Sequence, residues 1–156
     1  MNKIFKKITA MVTAAAMAAS IASTVFADFV IDYHQVYGSA VVGVIDYYAS
    51  GRMEITQQPT NYLIKGTTKI DSAIYLSGGN TIGNVSKLKV DWQVADYYTG
   101  NNFGQKQEAE RKNAVLLENE EQISIYAPIK KFAVFGTHIA TQNNTKIIAD
   151  YTYVHN

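Results

Sequence analysis

The stretch from Lys87 to Tyr98, KLKVDWQVADYY, constrains this chain more than any other. Leu88, Val90, Trp92 and Val94 alternate with Lys87, Lys89, Asp91 and Gln93. Successive strand side chains point to opposite faces, so the pattern describes a strand with one dry face and one wet. The only tryptophan lies in the dry row, where a large ring contributes most as core.

Ahead of that strand, Met1 to Lys7 carries Lys3, Lys6 and Lys7 and leads into an apolar run, rich in alanine and methionine, from Ile8 to about Ala22. A basic head, a short apolar middle and small residues before a cut describe a secretory signal peptide. Val25-Phe26-Ala27 supplies the small residue at the cut, so residues 1–27 are expected to be removed and residues 28–156 to form one domain; Ser20-Ile21-Ala22 is a second site. The run is shorter than the roughly 20 apolar residues of a spanning helix. It is also interrupted by Thr9, Thr13 and Ser20, and no second long apolar run follows. The mature chain therefore reads as secreted by a bacterium, with no stable membrane span.

No cysteine occurs, so the exported domain must rely on core burial instead of disulfides. Three of the fourteen basic residues belong to the leader, which leaves eleven against thirteen acids and a formal charge of −2. Each phosphate contact needs its own lysine or arginine, and the mature chain offers only the pairs Arg111-Lys112 and Lys130-Lys131. That balance argues against nucleic acid as a partner.

Phe29 to Tyr37 and Ala40 to Tyr48 are rich in Val, Ile and Tyr and read as strands. Gly38-Ser39 between them suits either a two-residue hairpin loop or a bulge within one long strand. Ala49-Ser50-Gly51 reads as a turn, and Gln57 to Asn61, with Pro59, as an interruption. Tyr62 to Lys65 suits a short edge strand, Thr67 to Leu76 alternates again, and Ser77-Gly78-Gly79-Asn80 is a strong turn cluster. Thr99 to Asn102 closes the anchor strand. Gln105 to Glu121 has the composition of a helix, but its apolar residues are bunched at Ala114 to Leu117, so helix and charged strand both remain open. Phe132 to Thr141 and Lys146 to Val154 form a hairpin around Asn143-Asn144; counting back places Gly136 opposite Tyr151 and His138 opposite Ala149. Strands and turns at this spacing predict an all-β domain, a single antiparallel β-sandwich or partly open barrel.

Four segments share an Asp-Tyr ending: Asp32-Tyr33, Asp46-Tyr47, Asp96-Tyr97 and Asp150-Tyr151. A carboxylate is costly in an apolar core, so each aspartate marks a place where a strand leaves it. Tyr47-Tyr48 and Tyr97-Tyr98 put at least one ring of each pair outside, and rigid amphipathic rings provide contact area at low entropic cost. Gathered on one rim, Asp32, Asp46, Tyr47, Tyr48, Asp96, Tyr97, Tyr98, Asp150 and Tyr151 would make an acidic, tyrosine-lined binding surface. A hairpin at Gly38-Ser39 would set Asp32 against Ile45, beside Asp46. No D-x-D-x-D loop is present, and no metal or cofactor is expected.

Catalysis has little support. There is no G-x-S-x-G elbow and no H-x-H or H-E-x-x-H; the three histidines, His34, His138 and His155, are isolated. A pair of carboxylates working as a glycoside hydrolase is the remaining enzymatic option. The reading is a secreted, non-enzymatic binding module for a glycan, an envelope component or a protein partner. The rival is a secreted antimicrobial or pore-forming protein, suggested by the small residues interrupting the apolar run from Val36 to Tyr48.

Overall fold

Trp92 is 1% exposed, enclosed between two sheets. The structure is a computed structural model that describes residues 28–124 and 131–156; the leader expected at 1–27 and Lys130 lie outside the described residues. Eight strands follow in order: β1 Phe29–Val42, β2 Ile45–Gln57, β3 Tyr62–Tyr75, β4 Lys87–Asp96, β5 Asn102–Arg111, β6 Leu116–Ile123, β7 Phe132–Gln142 and β8 Thr145–His155. They form two four-stranded antiparallel sheets, ordered β1-β2-β3-β6 and β5-β4-β7-β8. The chain is therefore all-β, and the sheets pack face to face as a sandwich.

The dry row of β4 meets Met53 and Ile55 of β2 and Ile64 of β3, flanked by Phe132 and Val134 of β7 and Val154 of β8. All of these are essentially buried, and each large side chain of this kind contributes about 1.5–3 kcal/mol on leaving water. Polar groups sit among them too, His138, Thr68 and Thr152 at the centre. His138 of β7 is fully buried and spans the gap: its Nδ1 lies 3.0 Å from Thr68 Oγ1 on β3 and its Nε2 lies 3.0 Å from Thr152 Oγ1 on β8. Thr68 Oγ1 donates its single hydrogen to the carbonyl of Lys89, 3.1 Å away. Thr68 Oγ1 can then accept from His138 Nδ1–H, and in a neutral ring Nε2 accepts from the Thr152 hydroxyl. Burial favours the neutral imidazole, and the chain of bonds through it ties the two sheets together.

Making room for this ring explains a departure from expectation. Ala49-Ser50-Gly51 is not a turn but the buried middle of β2. A side chain at position 51 would begin 2.3 Å from the His138 ring, so glycine there permits the close approach. Gly38-Ser39 is not a loop either; β1 continues through it, with Gly38 opposite Ala49 and Ser39 opposite Tyr48. The chain reverses at Gly43-Val44, where Gly43 adopts φ 64 at the first loop position. Tyr62 to Lys65 is no short edge strand but the start of β3, which runs to Tyr75 between β2 and β6.

Gln105 to Glu121 contains no helix. It supplies most of β5 and β6, edge strands that lie in opposite sheets, and β6 runs on through Gln122 to Ile123. The β7–β8 hairpin turns at Asn143-Asn144 as expected, with Gln142 opposite Thr145. Its register then slips by one: Thr141 pairs with Lys146 and Ala140 with Ile148, so Ile147 is an extra, bulged residue. Gly136 consequently faces Thr152, and His138 faces Asp150.

The pairings assign the loops to ends. Tyr62 packs edge-on against Phe132 at a centroid distance of 5.1 Å, and Asp96 pairs with Phe132. That end holds the connections 58–61 and 97–101, and the opposite end holds 43–44, 76–86, 112–115 and 143–144. Along one side the sheets are joined by a seam. The outer edge of β8 would leave amides unpaired, but Tyr153 N–H donates to His34 Nδ1 at 3.1 Å and His155 N–H to Asp32 Oδ2 at 2.9 Å. Side chains of β1 thereby cap the free edge of β8.

Candidate functional site

The outward rows of β4, β7 and β8 build a groove across the second sheet. Trp92, Gly136 and Thr152 are cross-strand partners whose side chains, where present, point inward, so their backbones form a floor. The neighbouring residues turn outward and make two ridges: Asp91, Thr137 and Tyr151 on one side, Gln93, Phe135 and Tyr153 on the other. Lys106 of β5 and His34 of β1 close the ends. The space enclosed is about 400 Å³.

One end of the groove is charged but internally compensated. Asp91 Oδ2 lies 2.9 Å from Lys106 Nζ and 3.1 Å from Lys89 Nζ. Burial on its own would raise the Asp91 carboxyl pKa, but the ammonium groups of Lys106 and Lys89, with the Thr137 hydroxyl, outweigh it and hold the carboxyl below its usual range. Lys106 is raised in turn, first by its bond to Glu108 and then by Asp91. Gln93 Nε2 donates to the carbonyls of Val94 and Phe103, both at 3.2 Å, which fixes that ridge.

The other end opens into a strip of rings. Phe135 lies 5.0 Å from Tyr153, Tyr153 5.9 Å from His155, His155 5.3 Å from Tyr97 and Tyr97 5.3 Å from Tyr98, mostly edge to face. Such contacts suit the ring quadrupoles and stiffen the strip. Lys131 Nζ sits 3.9 Å above the Tyr97 ring. The strip stays open to solvent: Phe135 is 49% exposed, Tyr153 40% and Tyr98 79%, and Tyr151 on the facing ridge is 72% exposed. The Tyr153 hydroxyl is pushed up by partial burial, then by Tyr97 and Asp32.

Protein-family models, curated proteins and solved structures all return no match. The site stands on its geometry.

The Asp-Tyr endings do not share one rim. Asp32, Asp96, Tyr97 and Tyr98 lie toward the same end as the ring strip. Asp46 and Tyr48 are at the opposite end, where Tyr48 donates to Asp46 at 2.9 Å, and that bond raises the phenol. Asp32 faces Ile55, not Ile45, and Asp46 faces Val41, because β1 and β2 form one long hairpin. Tyr47 is only 3% exposed and belongs to the core. Asp96 serves its own turn: it accepts from Thr99 N–H, the Thr99 hydroxyl and Tyr98 N–H, bonds that lower its pKa. Asp150 accepts from Tyr151 N–H midway along β8, and Tyr151 is the member that reaches the groove. Among the described residues, no cluster of three or more His, Asp or Glu is placed to hold a metal ion.

Phe135, Tyr153, His155, Gln93, Lys106 and Lys131 were not singled out from sequence. A signal was available: Tyr151, Tyr153 and His155 recur every second residue, which puts three rings on one strand face.

Proposed function

We propose that residues 28–156 form an exported, non-enzymatic binding protein whose contact surface is the outer face of β4, β7 and β8. The partner is a glycan, an envelope component or another protein. The observation that carries this reading is the exposed ring strip beside a groove: monomeric proteins seldom leave so many adjacent aromatics in water without use. Tyrosine provides both an apolar face and a hydroxyl, the combination favoured in recognition surfaces. The charged end is already neutralised by Lys89 and Lys106, so it orients a partner without demanding a counter-ion.

The test compares the mature chain with a Tyr151→Ala/Tyr153→Ala double variant on a glycan array and in pulldowns from envelope extract. At least one ligand is expected to bind the parent and to bind the variant ten-fold or more weakly, with Trp92 emission unchanged. Ligands retained equally by both proteins would remove this face as the site.

The rival, a secreted antimicrobial or pore-forming protein, draws on the long β1–β2 hairpin. Its outward row on β2 includes Asp46, Arg52 and Glu54, which a lipid-facing row does not tolerate. Rapid release of dye from liposomes would favour it nonetheless.

A further inference from the structure

A different surface, at the end of the sandwich opposite the strip's Tyr97-Tyr98, combines apolar loop tips with unpaired cations. Val44 in the β1–β2 turn, Leu76 just after β3 and Ile82 in the β3–β4 connection are each more than three-fifths exposed. These tips are adjacent and fixed: Leu76 N–H donates to the Val44 carbonyl at 2.9 Å, and Thr81 N–H donates to the Ala73 carbonyl at 2.9 Å. Val41, Val115 and Leu116 at the same end are also exposed. Aliphatic side chains at hairpin tips contribute nothing to the core, and water penalises them.

The same end carries Lys87, Arg111, Lys112 and Lys146, none of which forms an ion pair with a described carboxylate. Arg111 only donates to the Leu116 carbonyl. Nearby acids are Asp46, held by the Tyr48 hydroxyl, Asp71, paired with Lys69 at 2.9 Å, Glu118, paired with Lys65 at 2.7 Å, and Glu110. The opposite end holds Asp28, Asp32, Asp96 and Glu121 against Lys131. A near-neutral chain is thus electrically polarised, with its positive end bearing the exposed aliphatics.

We infer that this end docks on an anionic lipid surface, with Val44, Leu76 and Ile82 entering the headgroup boundary and the four cations lying above it. A protein partner would need apolar or acidic complementarity but no particular protrusion, whereas tips ringed by cations match a negatively charged interface in both respects. The docking is peripheral: no described segment is a helix able to cross a membrane, and the tips belong to turns of an intact sandwich.

The absence of cysteine allows a clean test on the mature chain. Ile82→Cys, and separately Tyr98→Cys at the other end, are labelled with an environment-sensitive nitrobenzoxadiazole dye. They are mixed with vesicles of phosphatidylcholine alone or of phosphatidylcholine with phosphatidylglycerol. The dye at position 82 is expected to brighten and shift to the blue only with the anionic vesicles, the dye at 98 not at all. In co-sedimentation, Lys87→Gln and Lys146→Gln should each lower partitioning about five-fold. Leu76→Asp should abolish it with Trp92 emission unchanged, and added salt should weaken it. No response at position 82 at low salt would overturn the inference, as would equal responses at 82 and 98, or binding indifferent to Leu76→Asp. Vesicle leakage would replace docking with insertion.

Discussion

His138 shows how one polar residue can be both buried and necessary. Its ring replaces the apolar contact that Gly51 cannot make, and three hydrogen-bond donors and acceptors around it are satisfied in a single order. Burial pushes its pKa down from 6.5 to about 4, against the smaller opposing influences of the Thr67 carbonyl, Asp91 and Asp150. A histidine whose folded pKa is depressed contributes its full stability above the unfolded value. Between pH 6.5 and 4 the unfolded chain binds a proton that the native chain refuses, so stability should fall by about 3 kcal/mol over that window and not further through this group. Urea midpoints measured across the window would show the decline. Imidazole nitrogen shifts at pH 5.5 should report a neutral ring with Nδ1 protonated; a ring already charged at that pH would refute the assignment. Below this range Asp91 takes over, because its lowered carboxyl stabilises the fold above its usual pKa and releases that stability as it protonates.

At the level of the strand, the seam between β1 and β8 makes a separate prediction. Asp32 and His34 accept the two outer amides of β8, and each bond contributes about 1 kcal/mol. Asp32→Ala with His34→Ala should speed hydrogen exchange at Tyr153 and His155 by an order of magnitude or more, while amides at the centre of β4 exchange as before. Unchanged protection at those two positions would show that the seam does not depend on these side chains. The strands themselves differed in how plainly they could be read. β4 and the β7–β8 turn followed from alternation and asparagine because each has one fully covered face. β5 and β6 did not, since edge strands with charged outer sides carry the composition of an exposed helix and only a few inward apolar residues, such as Ala109 and Leu117. Ala49 to Gly51 misled for the opposite reason: small residues there reflect a bulky neighbour on another sheet, and local spacing holds no trace of it. The bulge at Ile147 likewise shifted every partner beyond it, which is why Tyr151 and Gly136 are not opposite one another. Of the aspartate-tyrosine repeats, Tyr97, Tyr98 and Tyr151 lie along the strip and groove, Tyr47 is buried in the core, and the aspartates bond to turns, edges and neighbouring groups.

For the molecule as a whole, both sheets share one core, with Trp92 and His138 of the second sheet packed on Met53, Gly66 and Thr68 of the first. Neither sheet can keep its inner face dry alone. Equilibrium unfolding should therefore give superimposable curves by Trp92 emission and by far-ultraviolet circular dichroism, as two-state single domains do. Separate midpoints would mean that the sheets melt independently. The seam has a consequence for how the chain is completed. Its two members are the first and last strands, with Asp28 bonded to Gln58 and Asn156 to Phe132 at the same end of the sandwich. The sandwich can therefore close along this side only once both β1 and β8 are in place. It also places residues 28 and 156 at the same end, so that a linker could join these two positions in a permuted chain whose break lies in a loop, without disturbing the sandwich.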